Sequence, residues 1–320
     1  MSHQVGYCKK YMIDSPLVSV IISTHNRKEM LSRLITSLFQ STYPKEKIEA
    51  IVVDDASTDG TYKYITRQFP EVKIVRNSRE KWVSASRNIG IKKATGNFIF
   101  LIDDDNVLDG RTLIEILKVM LKNIKIGIAA PIMYYYGDPC RIWCAGVRRN
   151  YITSMTTYLY RDQIVKELLP EILESEDFPN AFMVRRKVIE EIGLFDETNF
   201  PIHYEESDFC NRARQAGWKV VGVTRAKIWH DIPPQNQLNN FIGIWKEKRV
   251  YYTARNRILF HKKHSEVYQY TIFKIMFLPL FTIYYLLRIL TSKSKRRKRL
   301  MIAYLRGVLN GLAVKGVVRR

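Results

Sequence analysis

The chain has 320 residues, 46% of them hydrophobic and 26% charged, with 15 Gly and 11 Pro, which excludes disordered, collagen-like and small disulfide-stapled classes. Its 52 Lys and Arg against 31 Asp and Glu give a formal charge of +21, so an anionic partner is expected. Residues 241–320 hold 19 basic and 2 acidic side chains, whereas residues 1–240 hold 33 and 29; the excess belongs to a basic appendage on a nearly neutral body, not to a surface wrapped by nucleic acid.

Residues 1–16 lack the apolar core of a signal peptide. Leu17–Ser23 is a β-branched run ended by Thr24-His25-Asn26, and from Lys28 to Phe39 the residues Met30, Leu31, Leu34, Ile35, Leu38 and Phe39 form one helical stripe. Ile48–Val53 predicts a second strand running into Asp54-Asp55-Ala56-Ser57, with a helix over Thr61–Phe69. A third strand at Val72–Val75, a helix over Val83–Ala94 and a fourth strand at Asn97–Ile102, stopping at Asp103-Asp104-Asp105, complete the pattern. Strands alternating with helices indicate a parallel α/β sheet. In such sheets ligands bind at the C-terminal strand ends, where both acidic clusters fall.

Neither G-x-G-x-x-G after the first strand nor a P-loop is present, so the usual phosphate cradles are missing. A diphosphate would instead need a divalent cation on carboxylate oxygens, and Asp103 and Asp105, two apart in extended chain, point the same way. Cys8, Cys140, Cys144 and Cys210 are too scattered for a disulfide framework and lack a second ligand pair for zinc, so they read as reduced thiols of a cytosolic chain.

VSVIISTHNR, VVDDASTDGT, SASRNIG and FIFLIDDDNVL, in that order, resemble the nucleotide-binding half of inverting family 2 glycosyltransferases of the GT-A fold. Phe178 to Arg186, Glu191 to Glu197 and His203 to Phe209, with Arg212 and Gly217-Trp218, resemble the acceptor half of rhamnosyltransferase-like and galactofuranosyltransferase-like members. The resemblance covers about residues 17–260. It implies a GT-A domain over 17–240, divided into a nucleotide-sugar half at 17–132 and an acceptor half at 133–240, followed by a helical, basic membrane-associating region at 241–320. It also implies that Thr24, Asn26, Asp54, Asp55 and Asp104 line the nucleotide pocket and that Arg87 and Asn88 lie near the diphosphate. Asp103, Asp105 and His230 would hold Mg2+ or Mn2+. An inverting transfer needs a base on the acceptor side; by position that is Glu206, although the family's usual Glu-Asp or Asp-Asp pair is here Glu205-Glu206, leaving Glu205 and Asp208 as alternatives. Asp208 also suits an N-cap for the helix through Arg212. Processive members carry Gln-x-x-Arg-Trp, which none of the eight Gln here begins, so addition of one or a few sugars is expected.

Phe241–Phe260 resembles the helix that follows the catalytic domain in this family and is expected against the acceptor side. Ile275–Leu287 is uncharged but short of the roughly 20 residues of a span; snorkelling by the flanking Lys274 and Arg288 stretches it to about that length, and an in-plane or re-entrant helix is expected in preference to a full span. The run Lys293–Arg299 and an amphipathic stretch over Leu300–Val318 follow, a pattern of attachment to anionic lipid through residues 271–320. No interleaved aromatics or folded reader accompany the run, so nucleic acid is not the expected partner. The sequence therefore predicts a non-processive, metal-dependent transferase at the cytoplasmic membrane face, acting from a nucleoside diphosphate sugar onto a lipid-linked or surface glycan. Transfer to polyprenyl phosphate and a non-catalytic nucleotide-sugar-binding scaffold are the alternatives.

Overall fold

The computed structural model describes residues 15–165, 167, 169–232 and 246–314. The first half alternates as expected: β1 (Val18–Thr24), α1 (Lys28–Phe39), β2 (Ile48–Asp54), α2 (Thr61–Gln68), β3 (Lys73–Arg76), α3 (Trp82–Lys93) and β4 (Phe98–Asp103). Their strands pair in parallel in the order β3-β2-β1-β4. Val20, Ile21 and Ile22 of β1 and Ile51, Val52 and Val53 of β2 are fully buried, as continuous apolar runs must be when helices cover both faces of a sheet.

The second half extends that sheet with strands of both directions. After β5 (Asn106–Leu108) and α4 (Thr112–Lys122) come β6 (Ile126–Tyr135), β7 (Asp138–Cys144), β8 (Val147–Arg149), β9 (Thr156–Tyr158), β10 (Ile172–Glu174) and β11 (Ala181–Arg185). Then α5 (Arg186–Ile192) and α6 (Glu205–Gln215) precede β12 (Lys219–His230). Strand β11 inserts antiparallel between β4 and β6, and β12 runs parallel to β6. Among the described residues this makes a ten-stranded mixed sheet, with β8 and β9 forming a separate ribbon. The insertion brings the end of β4, the start of β11 and the end of β12 to one place, because Asp103 N bonds to Asn180 O and Asp231 N to Asp105 O.

The C-terminal region is a helical unit of α7 (Glu247–His264), α8 (Val267–Leu290) and α9 (Arg297–Ala313). The expected helix over 241–260 thus starts later and runs further, residues 241–245 lying outside the described ones. α7 and α9 approach so closely that a Cβ on Gly307 would stand 2.4 Å from Tyr251 O and one on Gly311 3.0 Å from Ile258 Cδ1, a small-xxx-small contact. α8 runs through both flanking cations, Lys274 and Arg288, and has 24 residues, long and apolar enough to cross a membrane. A π-helical turn at Phe273–Phe277 precedes Pro279, where the ring would otherwise collide with the preceding turn. Ile275, Leu280, Ile283 and Leu287 of α8 and Ile302 and Leu309 of α9 are exposed, one apolar face that no described part of the chain covers.

At the sheet end opposite the site, buried Glu49 fixes the strand starts. Its carboxylate accepts from Ser19 Oγ at 2.5 Å, Lys73 Nζ at 2.6 Å and Thr95 N at 2.8 Å. Burial opposes the charge, but the Lys73, Ser19 and Thr95 bonds outweigh it and pull the carboxyl down to about 2. A depressed pKa contributes stability in full above the unfolded value of about 4.3 and loses it as pH falls toward the folded one. Glu49→Gln should therefore lower the unfolding free energy by about 1–3 kcal/mol near neutral pH, and the deficit should shrink as urea unfolding is repeated toward about pH 3; a deficit independent of pH would contradict this role.

Candidate active site

The loops that leave β1, β2, β3 and β4 are stitched to one another before they form any pocket. Asn26, at φ 55°, accepts Thr58 N on Oδ1 at 2.7 Å and donates its own N–H to Ser57 Oγ. Buried Asp54 accepts Ser57 N at 3.0 Å and lies 3.5 Å from Arg76 Nε. Asp55 accepts from Asn77 Nδ2, Lys81 N and Trp82 N, all within 2.8 Å, and its bond to Trp82 N anchors that residue at φ 73°. A bulky residue in the left-handed region is strained, and such residues gather at functional sites.

These loops wall a cleft of about 430 Å³ lined by Thr24, Arg27, Asp55, Trp82, Asp103 and Asp104, with Lys246 and Arg249 on the side of α7. Thr24 Oγ1 donates to Asp104 Oδ2 at 2.7 Å. Arg27 Nη1 bridges Asp104 Oδ1 and Asp105 Oδ2 at 2.9 Å each. Burial pushes Asp104 up to about 7, against the pull of Arg27. Burial also opposes the charge of Asp105, but the His230 hydrogen bond and charge, with Arg27, hold it below the usual carboxylate range.

Arg87 joins the cleft to the acceptor side. Only 1% exposed, it donates through Nη2 to Asp103 Oδ1 and to Glu206 Oε1, each at 2.7 Å, with Nη1 3.8 Å from Glu205. Asn180, at φ 75°, makes a second bridge: its N–H donates to Glu206 Oε1 at 2.7 Å and its carbonyl receives Asp103 N. Among the described residues Glu206 Oε2 makes no hydrogen bond, and Glu206 lines a cavity of about 280 Å³ with Arg149, Tyr158, Asp177 and Tyr204. Burial and the Glu206 charge push Glu205 up to about 8. Burial raises Glu206 too, with Arg87 the main restraint, and a raised pKa makes a carboxylate the stronger base.

Two of the three expected metal ligands converge. His230 Nε2 stands 3.3 Å from Asp105 Oδ1, its ring edge-on to Trp143 at 4.5 Å and its Nδ1 buried without a hydrogen bond. Asp103 turns instead to Arg87. Among the described residues no three His, Cys, Asp or Glu side chains gather closely enough to enclose an ion. One carboxylate and one imidazole completed by substrate phosphate oxygens is nonetheless a donor set that Mg2+ or Mn2+ accepts, so the residues fit such an ion.

Two expectations meet a different geometry. Asn88 faces away from the cleft, bonding to Phe195 O at 3.0 Å and Glu197 Oε2 at 2.7 Å. Asp208 is not an N-cap, because α6 begins three residues earlier behind Tyr204 at φ 67°. It is instead fully buried and bound to Arg212 at 2.9 Å and, from α7, to Lys263 at 2.7 Å and His264 at 2.8 Å. Arg27, Asn180, Lys246 and Arg249 escaped the sequence reading. All four lie inside segments already singled out, but nothing in their spacing shows which way they point.

The family model for Glycosyl transferase family 2 matches residues 19–193, more than half of the chain. Glycosyltransferase AglE of Haloferax volcanii is 37% identical over 210 residues, 64% of each chain. The UDP-Glc:alpha-D-GlcNAc-diphosphoundecaprenol beta-1,3-glucosyltransferase WfgD of Escherichia coli is 32% identical over 112 residues, 35% of this chain and 44% of its own. The matched region thus spans less than two thirds of either relative. Among solved structures, mannosyltransferase PcManGT from Pyrobaculum calidifontis, in complex with GDP-Man and Mn2+, superposes with a TM-score of 0.57 at 13% identity, over 97% of this chain and 94% of its own, a likeness of fold. The motifs, the antiparallel insertion of β11 in the sheet and the family match agree: the chain belongs to glycosyl transferase family 2 and has a GT-A-like fold.

Proposed function

We propose that the chain is a non-processive, inverting glycosyltransferase that moves a sugar from a nucleoside diphosphate sugar to a hydroxyl of a lipid-linked or surface glycan at the cytoplasmic face of a membrane. The observation that carries this reading is the Arg87 bridge, which sets Asp103, at the donor cleft, and Glu206, at a second cavity, on one guanidinium nitrogen. Relatives fit the substrate class: WfgD is named for a UDP-sugar donor and a diphosphate-linked lipid acceptor, and PcManGT was solved with GDP-Man and Mn2+.

Thr24, Asn26, Asp54, Asp55 and Asp104 shape the nucleotide side of the cleft, Asn26 and Asp54 by fixing its loops. Asn88 supports α3 from behind and lies outside the diphosphate site. Asp105 and His230, with Asp103 behind them on Arg87, would hold Mg2+ or Mn2+, which when bound supplies positive charge to the leaving diphosphate. Arg27, Lys246 and Arg249 add cationic side chains to the same cleft. Glu206 Oε2 takes the acceptor hydroxyl proton, the hydroxyl oxygen forms the new bond at the anomeric carbon, and the bond to the diphosphate breaks on the opposite face, inverting that centre. The exposed apolar face of α8 and α9, with the cations of 293–299 between them, seats the enzyme on anionic lipid, where each cation contributes about 1 kcal/mol.

Thermal-shift measurements with UDP, dTDP, GDP and CDP, each with Mn2+ and with EDTA, should show metal-dependent stabilisation by one nucleotide that Asp105→Asn abolishes; no shift with any nucleotide in the folded wild type would overturn the transferase reading. Glu206→Gln should keep nucleotide binding and lower the turnover number by about 10²–10⁴-fold. Undiminished turnover would mean that the acceptor arrives already ionised, as a polyprenyl phosphate does.

A further inference from the structure

A second concavity adjoins the donor cleft and is used by nothing described so far. It measures about 540 Å³ and lies between α7, α9 and the rim of the cleft, with Trp82 common to both. Trp82 meets Tyr252 edge-on at 6.0 Å and Tyr252 meets Tyr251 at 5.1 Å, making an aromatic wall. Lys248, Arg299 and Arg306 face the same space. Lys248 Nζ sits 5.7 Å from the Trp82 ring, and none of the three has a carboxylate partner among the described residues. The single acid of the lining, Glu247, lies 3.5 Å from Arg296.

Three unpaired cations on an aromatic wall fit a phosphate ester with an apolar continuation. Ile302 supplies that continuation: it lines the concavity and is 65% exposed on the apolar face of α9. An occupant therefore has its anionic part beside Trp82, at the mouth of the cleft, and its apolar part running toward the face that sits on lipid. A soluble glycan lacks both features, and a bulk anionic lipid has no reason to reach the cleft.

We propose that this groove holds the phosphate headgroup of a membrane lipid that carries the acceptor, so that the acceptor is a phosphate-linked or diphosphate-linked lipid glycan. This rests on the transferase reading and narrows its acceptor class. Trp82, held in its strained conformation by Asp55, is then the partition that orders the glycan next to the donor.

The test uses the full chain and phosphatidylcholine vesicles doped either with a long-chain isoprenyl diphosphate or, at matched surface charge, with phosphatidylserine. The wild type should bind the diphosphate vesicles roughly tenfold or more tightly. The combined Lys248→Gln and Arg306→Gln variant should lose that preference while keeping its binding to phosphatidylserine and its stabilisation by nucleotide. Lys293→Gln, Lys295→Gln and Lys298→Gln, outside the groove, should weaken both vesicle types alike. A wild type without the preference, or a groove variant that keeps it, overturns the inference and leaves the transferase reading standing. A wild type stabilised by no nucleoside diphosphate overturns both.

Discussion

One buried cation organises this protein. Removing a guanidinium from water is expensive unless carboxylates surround it with good geometry, and Arg87 meets that condition with Asp103, Glu205 and Glu206, drawn from two distant parts of the chain. Its position on α3 forces the end of β4 and the start of α6 together, and Asn180 at the start of β11 repeats the connection through its own backbone. The antiparallel insertion of β11 is the topological counterpart of this requirement: it allows residues from both halves to reach the same strand end.

The second constraint is a clasp between α6 and the C-terminal helices. Asp208 sits two residues after Glu206 and binds Lys263 and His264 of α7, while Asn256 Nδ2 donates to Ile202 O and His203 O in the loop before α6. Arg257 reaches Tyr204 Oη at 3.3 Å and Tyr285 Oη of α8 at 3.1 Å. The helices with the exposed apolar face and the helix bearing Glu206 are thus held by the same buried polar groups, so that face and the Glu206 carboxylate belong to one mechanical unit.

Much of the donor half was legible in the sequence, because β-branched runs, turn residues and a helical stripe are local signals and the acidic clusters fall where strands stop. The roles inside those clusters were less so. Asp54 and Asp55 read alike in sequence, yet one closes its own turn while the other holds Trp82 at the cleft; Asn88 follows Arg87 directly but, about 100° further round α3, bonds to Phe195 and Glu197 instead. Asp208 looked like a cap because the start of α6 was placed too late, and its partners Lys263 and His264 lie more than 50 residues away, beyond any local pattern. The ends of α8 were not legible, because the helix runs from Val267 to Leu290 through polar residues and isolated cations that interrupt the apolar pattern.

The account turns on Arg87 holding both halves in register rather than only neutralising charge, and the direct measurement is the transfer rate of a folded Arg87→Lys variant. Lysine keeps the positive charge, but its side chain is shorter and its single nitrogen cannot stand where Nη2 meets Asp103 and Glu206 while a second faces Glu205 as Nη1 does. The prediction is a folded variant with a lowered melting temperature and transfer reduced by about 10²-fold or more. Transfer at the wild-type rate in that variant would contradict the shared guanidinium as the element that unites the site.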